Sequence, residues 1–352
     1  MAKYWSIFIW IILFGCKETS TPESFTYFGG QIMNPKVAYI YLMKDGVAID
    51  SSLLDNENRF MLKFKLDKEG LFHFKHGNEF QYLYLQPNDS VLVKINTWDF
   101  DESITFTGKG AEKNNFLISL FLMNELEDEK FYPFYHLDSQ VFSEKIDSTI
   151  ASKEKLLSKF KKNNQDLTEG FLNIAEAGIY LSTYRKKENY CYGHKKLLDL
   201  PEYPAVDQDF YQYRKQINLN DSTLIYFHPY QNYLNSYLYY KASQLKEKDS
   251  LNRSFSLIAL QLIDQQFKNE TIKNLLLKQT LIESFLKNSQ CMFETFEFEF
   301  YNKTSTNSYD KSRILKLYND SNSLKNNVLI NDFELINSKK QLTNIKSIIS
   351  NR

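Results

Sequence analysis

Arg59-Phe60-Met61-Leu62-Lys63-Phe64-Lys65-Leu66 alternates side chains with a period of two. Phe60, Leu62, Phe64 and Leu66 fall on one face of a strand, and Arg59, Met61, Lys63 and Lys65 on the other. Seven runs of similar length surround it, at 25–32, 37–43, 47–54, 71–75, 80–85, 91–95 and 104–107. Between them lie Asp45-Gly46, Asp55-Asn56-Glu57-Asn58, Lys68-Glu69-Gly70, His76-Gly77-Asn78 and Gln86-Pro87-Asn88-Asp89. Asp-Gly favours a type I′ turn because both central residues need positive φ. The pattern predicts a half-buried antiparallel sheet, built as a small β-sandwich over 25–108.

After Gly108-Lys109-Gly110 the period becomes that of a helix. Phe116, Leu117, Leu120 and Phe121 begin one apolar face, and Ile146, Ile150 and Leu157 a second. Phe171, Ile174, Gly178 and Leu181 line a third helix ending near Lys187 or Glu188. Beyond Pro201 and Pro204, the stretches 230–248, 252–268 and 270–287 read as further helices. Strands followed by helices give an α+β chain, with a helical domain over 109–290. The Phe/Glu alternation of 293–300 suits a strand or a helix tail. The stretch 291–327 reads as a linker, Asn/Ser/Lys-rich from Lys303 to Asn327, with one helical turn near Ile314–Tyr318. At 328–352, Val328, Ile330, Phe333, Leu335 and Leu342 with Asn337-Ser338-Lys339-Lys340 predict a closing hairpin, which needs a sheet to dock on.

The N-terminus has the form of an export signal. Lys3 precedes the apolar run Trp5-Ser-Ile-Phe-Ile-Trp-Ile-Ile-Leu-Phe14, and Gly15-Cys16 follows. That run is shorter than the roughly 20 residues of a membrane-spanning helix. Leu13-Phe14-Gly15-Cys16 resembles the bacterial lipoprotein cleavage box, with Phe14 where a smaller residue is usual. The resemblance implies cleavage after residue 15 and acylation of Cys16, hence stable attachment to a membrane. The other reading is an uncleaved signal anchor. Residues 17–24, polar and Pro-containing, form a tether, so the body is expected in the bacterial cell envelope, on a periplasmic or surface face.

Lysine plus arginine and aspartate plus glutamate are equal at 43 each, so no global field recruits nucleic acid, and nucleic acid is not an expected partner. The 28 Phe and 24 Tyr follow the same bias as the abundant Lys, Asn and Ile and mark no surface by themselves. Beyond Cys16 the only cysteines are Cys191 and Cys291. In an exported chain they are free to join as a disulfide, or to remain two buried thiols.

Other chemistry is sparse. Cys191-Tyr-Gly-His194 has half the spacing of a metal site but lacks a second ligand pair. His73 and His76 flank a hairpin turn and read as exposed turn residues. Asp99, Asp101 and Glu102 cluster around Trp98 and Phe100; paired carboxylates serve glycoside hydrolysis, although acids in a turn are normally solvated. G-x-S-x-G, H-E-x-x-H, phosphate-loop and C-x-x-C motifs are all missing from the sequence, so no catalytic residue, metal or cofactor is expected.

Several short motifs carry a resemblance to a family. Gly30-Gln31-Ile32, Asp50-Ser51, Leu85-Gln-Pro-Asn-Asp-Ser90, Phe106-Thr-Gly-Lys-Gly110 and Asn114-Asn-Phe-Leu117 resemble the N-terminal domain of exported TlpA/ResA-like thiol-disulfide oxidoreductases. Asn88 stands where that family commonly has Gly, and tolerates the same left-handed conformation. The helices resemble the family's helical insert. Asn331-Asp-Phe-Glu-Leu-Ile-Asn337, through Leu342 to Ile345, resembles the opening of its thioredoxin-like domain, with Asn331 where Pro is frequent. The resemblance implies that the W-C-x-x-C motif would follow beyond Arg352. The expectation is a lipid-anchored envelope protein corresponding to the non-catalytic front of such an oxidoreductase, with the membrane and envelope proteins as partners. The alternative is a complete lipoprotein that binds a peptide, a glycan or a protein. An envelope hydrolase built on Asp99–Glu102 is a third reading.

Overall fold

The computed structural model describes residues 25–288, 295–325, 334–336 and 342–344. Cys16, Cys291 and the turn residues Asn337–Lys340 lie outside them, as do the apolar run before Cys16 and the tether. Among the described residues no helix is long and apolar enough to cross a membrane. The chain is α+β, with strands first and helices after them. It divides into two compact units. One holds the residues up to Leu122 together with Thr168–Phe171, and the other holds Met123–Leu167 and the chain from Leu172 onward.

All eight strand runs of the first unit form. They are β1 (Thr26–Met33), β2 (Tyr39–Lys44), β3 (Val47–Leu53), β4 (Arg59–Phe64), β5 (Gly70–His76), β6 (Glu79–Leu85), β7 (Ser90–Asn96) and β8 (Thr105–Lys109). They make two four-stranded sheets, ordered β4-β1-β7-β8 and β3-β2-β5-β6. Phe28 of β1 packs on Phe74 of β5 at 5.5 Å between ring centres, and Phe74 on Phe106 of β8 at 6.3 Å. Phe28, Ile32, Leu42, Phe74, Leu83 and Val91 have no exposed surface, so the apolar halves of the alternating runs form the core between the sheets. Asp45 and Gly46 both have positive φ, as a type I′ turn requires, and Asn88 takes φ 67°. One ladder departs from the antiparallel expectation: β1 and β7 run parallel, Phe28 beside Val91. Local alternation is blind to strand direction, and β7 reaches β1 only after the other sheet has been built.

The helices are α1 (Ala111–Phe131), α2 (Ser139–Asn163), α3 (Glu169–Glu188), α4 (Tyr190–Leu197), α5 (His228–Glu247), α6 (Phe255–Gln266), α7 (Glu270–Lys287), α8 (Thr295–Thr304) and α9 (Ser308–Lys325). Side-chain caps set several starts. Asp138 accepts from Gln140 and Val141 N–H, Ser254 from Leu257, and Asn269 from Thr271 and Ile272. Two expectations are corrected here. Residues 295–325, read as linker and as strand or helix tail, are two helices that bury Phe298, Tyr301 and Ile314. Asn274 of α7 holds the turn between them: its Oδ1 accepts from Ser305 Oγ at 2.8 Å and Thr306 N at 2.9 Å. Cys191 and His194, beyond the expected end of the third helix near Lys187 or Glu188, lie on a further helix, α4. The closing hairpin is present as β9 (Glu334–Ile336) and β10 (Leu342–Asn344), antiparallel, with Leu342 opposite Ile336. Among the described residues these two strands pair only with each other.

Candidate functional site: the outward sheet face and the joint beside it

The register of β4-β1-β7-β8 places its outward side chains in three straight rows. Lys63, Tyr27, Ser90 and Lys109 form the first, Met61, Gly29, Leu92 and Thr107 the second, and Arg59, Gln31, Lys94 and Thr105 the third. A largely apolar row is thus flanked by two rows that each carry two cations, over a face about 14 Å wide. None of the twelve positions is acidic. Gly29 leaves a notch in the middle row that the Met61 side chain fills: a Cβ there would lie 2.6 Å from Met61 Cε and 2.8 Å from Phe60 O. Beside it a groove of about 810 Å³ opens, lined by Gly30, Leu53, Arg59, Met61, Leu92 and Lys94 among others. Met61 is 53% and Leu53 60% exposed, well beyond what a sheet facing water needs.

The cations of this face differ in their partners. Arg59 is held by the β3–β4 turn, with Nη2 2.8 Å from Glu57 Oε2 and Nε 3.3 Å from Asp55 Oδ2. The Arg59 backbone N–H keeps the exposed Asp55 carboxyl below its usual range, helped by Glu57 N–H and the guanidinium. Lys63 Nζ lies 4.1 Å from the centre of the Phe25 ring and 5.7 Å from that of Tyr27. Lys94 and Lys109 point outward and are exposed.

The joint beside this face is built from the short motifs. Asn114 Oδ1 accepts the Tyr84 N–H at 2.6 Å, while its Nδ2 donates to the Tyr84 and Gly110 carbonyls, each at 2.9 Å. Asn115 treats Phe106 the same way, with both bonds at 2.9 Å. β8 is one edge of its sheet and β6 one edge of the other, so adjacent amides on α1 stand in for the next strand on each. The buried Asp89 accepts the Gln86 N–H at 2.9 Å, lies 3.5 Å from Lys113 Nζ, and occupies the space a Cβ on Gly110 would need. Gly108 and Gly110, at φ 90° and 95°, make the turn from β8 into α1.

In the second unit the residues flagged for chemistry serve packing. Cys191 is a buried free thiol, 3.5 Å from the Tyr211 hydroxyl, and burial pushes its pKa up, against thiolate formation. A cavity of about 50 Å³ lies beside it, lined by Tyr203, Pro204, Tyr239, Tyr240 and Ser243. Its proposed partner Cys291 lies outside the described residues. His194 does not join it as a ligand; its Nδ1 is 2.7 Å from Tyr135 O. No cluster of three or more His, Cys, Asp or Glu suited to a metal occurs among the described residues. Nearby, the fully buried Glu188 accepts from Arg214 Nε at 2.9 Å, Tyr213 OH at 2.7 Å and Tyr233 OH at 3.1 Å. Desolvation opposes the Arg214 charge, but Glu188 outweighs it and raises its pKa.

Two further candidates from the sequence sit in the first unit. His76, expected in an exposed turn, has no exposed surface: its Nε2 accepts the Lys36 N–H and its Nδ1 meets Tyr39 O, both at 3.0 Å. The His73 ring packs against that of Tyr82, tilted, at 5.2 Å between centres. Asp101 is half-buried, not solvated, and accepts from Gln81 Nε2 at 2.9 Å; burial raises its pKa. Asp99 and Glu102 do not join it in a buried pair, and Trp98 is 78% exposed. Alternation located Arg59, Met61 and Lys63 on one face; the ladder register that adds Lys94 and Lys109 has no local signal. Comparison with protein-family models, curated proteins and solved structures finds no match to this chain.

Proposed function

We propose that the chain is a lipid-anchored protein of the bacterial cell envelope, held through acylated Cys16. Its sandwich and helices correspond to the non-catalytic front portion of a thioredoxin-family thiol-disulfide oxidoreductase. One observation supports this reading most. Three of the motifs that resemble the family, all within residues 85–117, supply Asp89, Phe106, Gly110, Asn114 and Asn115, which meet at the single joint between the sandwich and α1. Residues whose types are demanded by one joint are what a shared domain architecture would leave behind. In this role the body places and docks, and thiol exchange would need a C-x-x-C that this sequence does not contain.

The test has two parts. Metabolic labelling with a palmitate analogue is expected to mark the wild-type chain and not Cys16→Ser. An insulin-reduction assay on the purified chain is expected to show no turnover. Label retained in Cys16→Ser contradicts the anchor, and turnover contradicts the non-catalytic reading.

A further inference from the structure

We infer that the outward face of the β4-β1-β7-β8 sheet docks on anionic phospholipid, with Lys63, Lys94 and Lys109 against headgroup phosphates and the Met61–Leu92 row against the acyl boundary. This rests on the anchored reading of Cys16. The first argument is the pattern of the face. Exposed apolar side chains flanked by cations, with no acid in any of the three rows, suit an interface that is apolar within and negative at its surface. Asp55 and Glu57, on the turn beside Arg59, both pair with it, and the rows themselves carry Lys63, Lys94 and Lys109 with no acid among them.

The second argument is reach. Nine residues, and so ten Cα–Cα steps, separate Cys16 from Thr26, the first residue of β1. A chain of that length reaches about 35 Å at most. The chain from Cys16 runs directly into β1, an inner strand of this very sheet, so an anchor at Cys16 would limit how far that strand can stand from the bilayer. At the end where the tether arrives, Phe25 and Tyr27 lie under Lys63, the aromatic and cationic pairing favoured at headgroup level.

Two other occupants fit less well. A peptide strand added beside β8 would meet Phe106 N–H and C=O already bonded to Asn115. A glycan would find one aromatic ring, Tyr27, in the three rows.

The test uses the full acylated chain in vesicles of phosphatidylcholine alone and in vesicles containing phosphatidylglycerol. Flotation reports the anchor, and amine-reactive labelling read by mass spectrometry reports the face. Lys63, Lys94 and Lys109 are expected to label at least about fivefold more slowly on phosphatidylglycerol than on phosphatidylcholine, an effect of the size one lysine near an anionic surface supplies. The exposed Lys155 and Lys159 serve as references and should not change. High salt should abolish the protection. Lys94→Glu with Lys109→Glu should lose it while still floating. Equal labelling on the two vesicles overturns the proposal, as does protection in native envelopes that pure phosphatidylglycerol fails to reproduce, which assigns the face to a protein. Failure to float on phosphatidylcholine refutes the anchor instead, and the phosphatidylglycerol labelling still decides the face.

Discussion

Asn114 and Asn115, adjacent on α1, turn their amides to different sheets: Asn114 completes the edge of β6 at Tyr84, and Asn115 that of β8 at Phe106. Each amide replaces the peptide group of a missing strand. The helix that follows the sandwich therefore caps one edge of each sheet at once. Replacing Asn114 by Ala strands the buried Tyr84 N–H and carbonyl and should cost about 2–3 kcal/mol. Asn115→Ala, at a more solvated edge, should cost about 1 kcal/mol. Urea denaturation of the two variants measures both, and the order Asn114 above Asn115 is the expected result.

His76 makes stability depend on pH. Burial lowers its pKa, against the Tyr39 carbonyl that raises it, and the Lys36 charge lowers it further. With Nε2 accepting from Lys36 N–H, the ring is neutral in the folded state. The unfolded chain takes up the proton first as pH falls, so stability is lost below a pH of about 6.5, by at most about 1.4 kcal/mol per pH unit. His228 is also lowered by burial and acts in the same direction. The His76 share is thus the difference between wild type and His76→Asn, and the variant should show the shallower slope in denaturation series from pH 7.5 to 5.

Glu188 and Arg214 form a buried pair in the second unit, with the guanidinium stacked over Tyr211 at 3.7 Å. Glu188→Gln leaves that cation without its counter-charge and should destabilise by about 3 kcal/mol. Glu188→Gln combined with Arg214→Met should recover a good part of the loss, because the uncompensated charge goes with it. A double-mutant cycle by thermal unfolding reads the coupling.

Side-chain alternation was enough to reveal the eight strands, since Phe60, Leu62 and their counterparts repeat at the period a sheet imposes. Asp45-Gly46 announced its turn because few other pairs accept positive φ twice. Longer-range features stayed hidden. His76 looked exposed because its partners, Lys36 and Tyr39, are far off in sequence. Helix α9 looked like linker because Ser, Asn, Asp and Lys dominate it, and α8 was ambiguous because Phe and Glu alternate in it; Asn274, on another helix, fixes the turn between them. The cationic rows needed the parallel β1–β7 register, which no stretch of either strand encodes alone.

The measurement that bears most directly on an anchored envelope protein is the mass of the N-terminal peptide of the mature chain. The account predicts a chain that begins at Cys16, with a diacylglyceryl group on its sulfur. A chain that still carries residues 1–15 and a free thiol at Cys16 would contradict it.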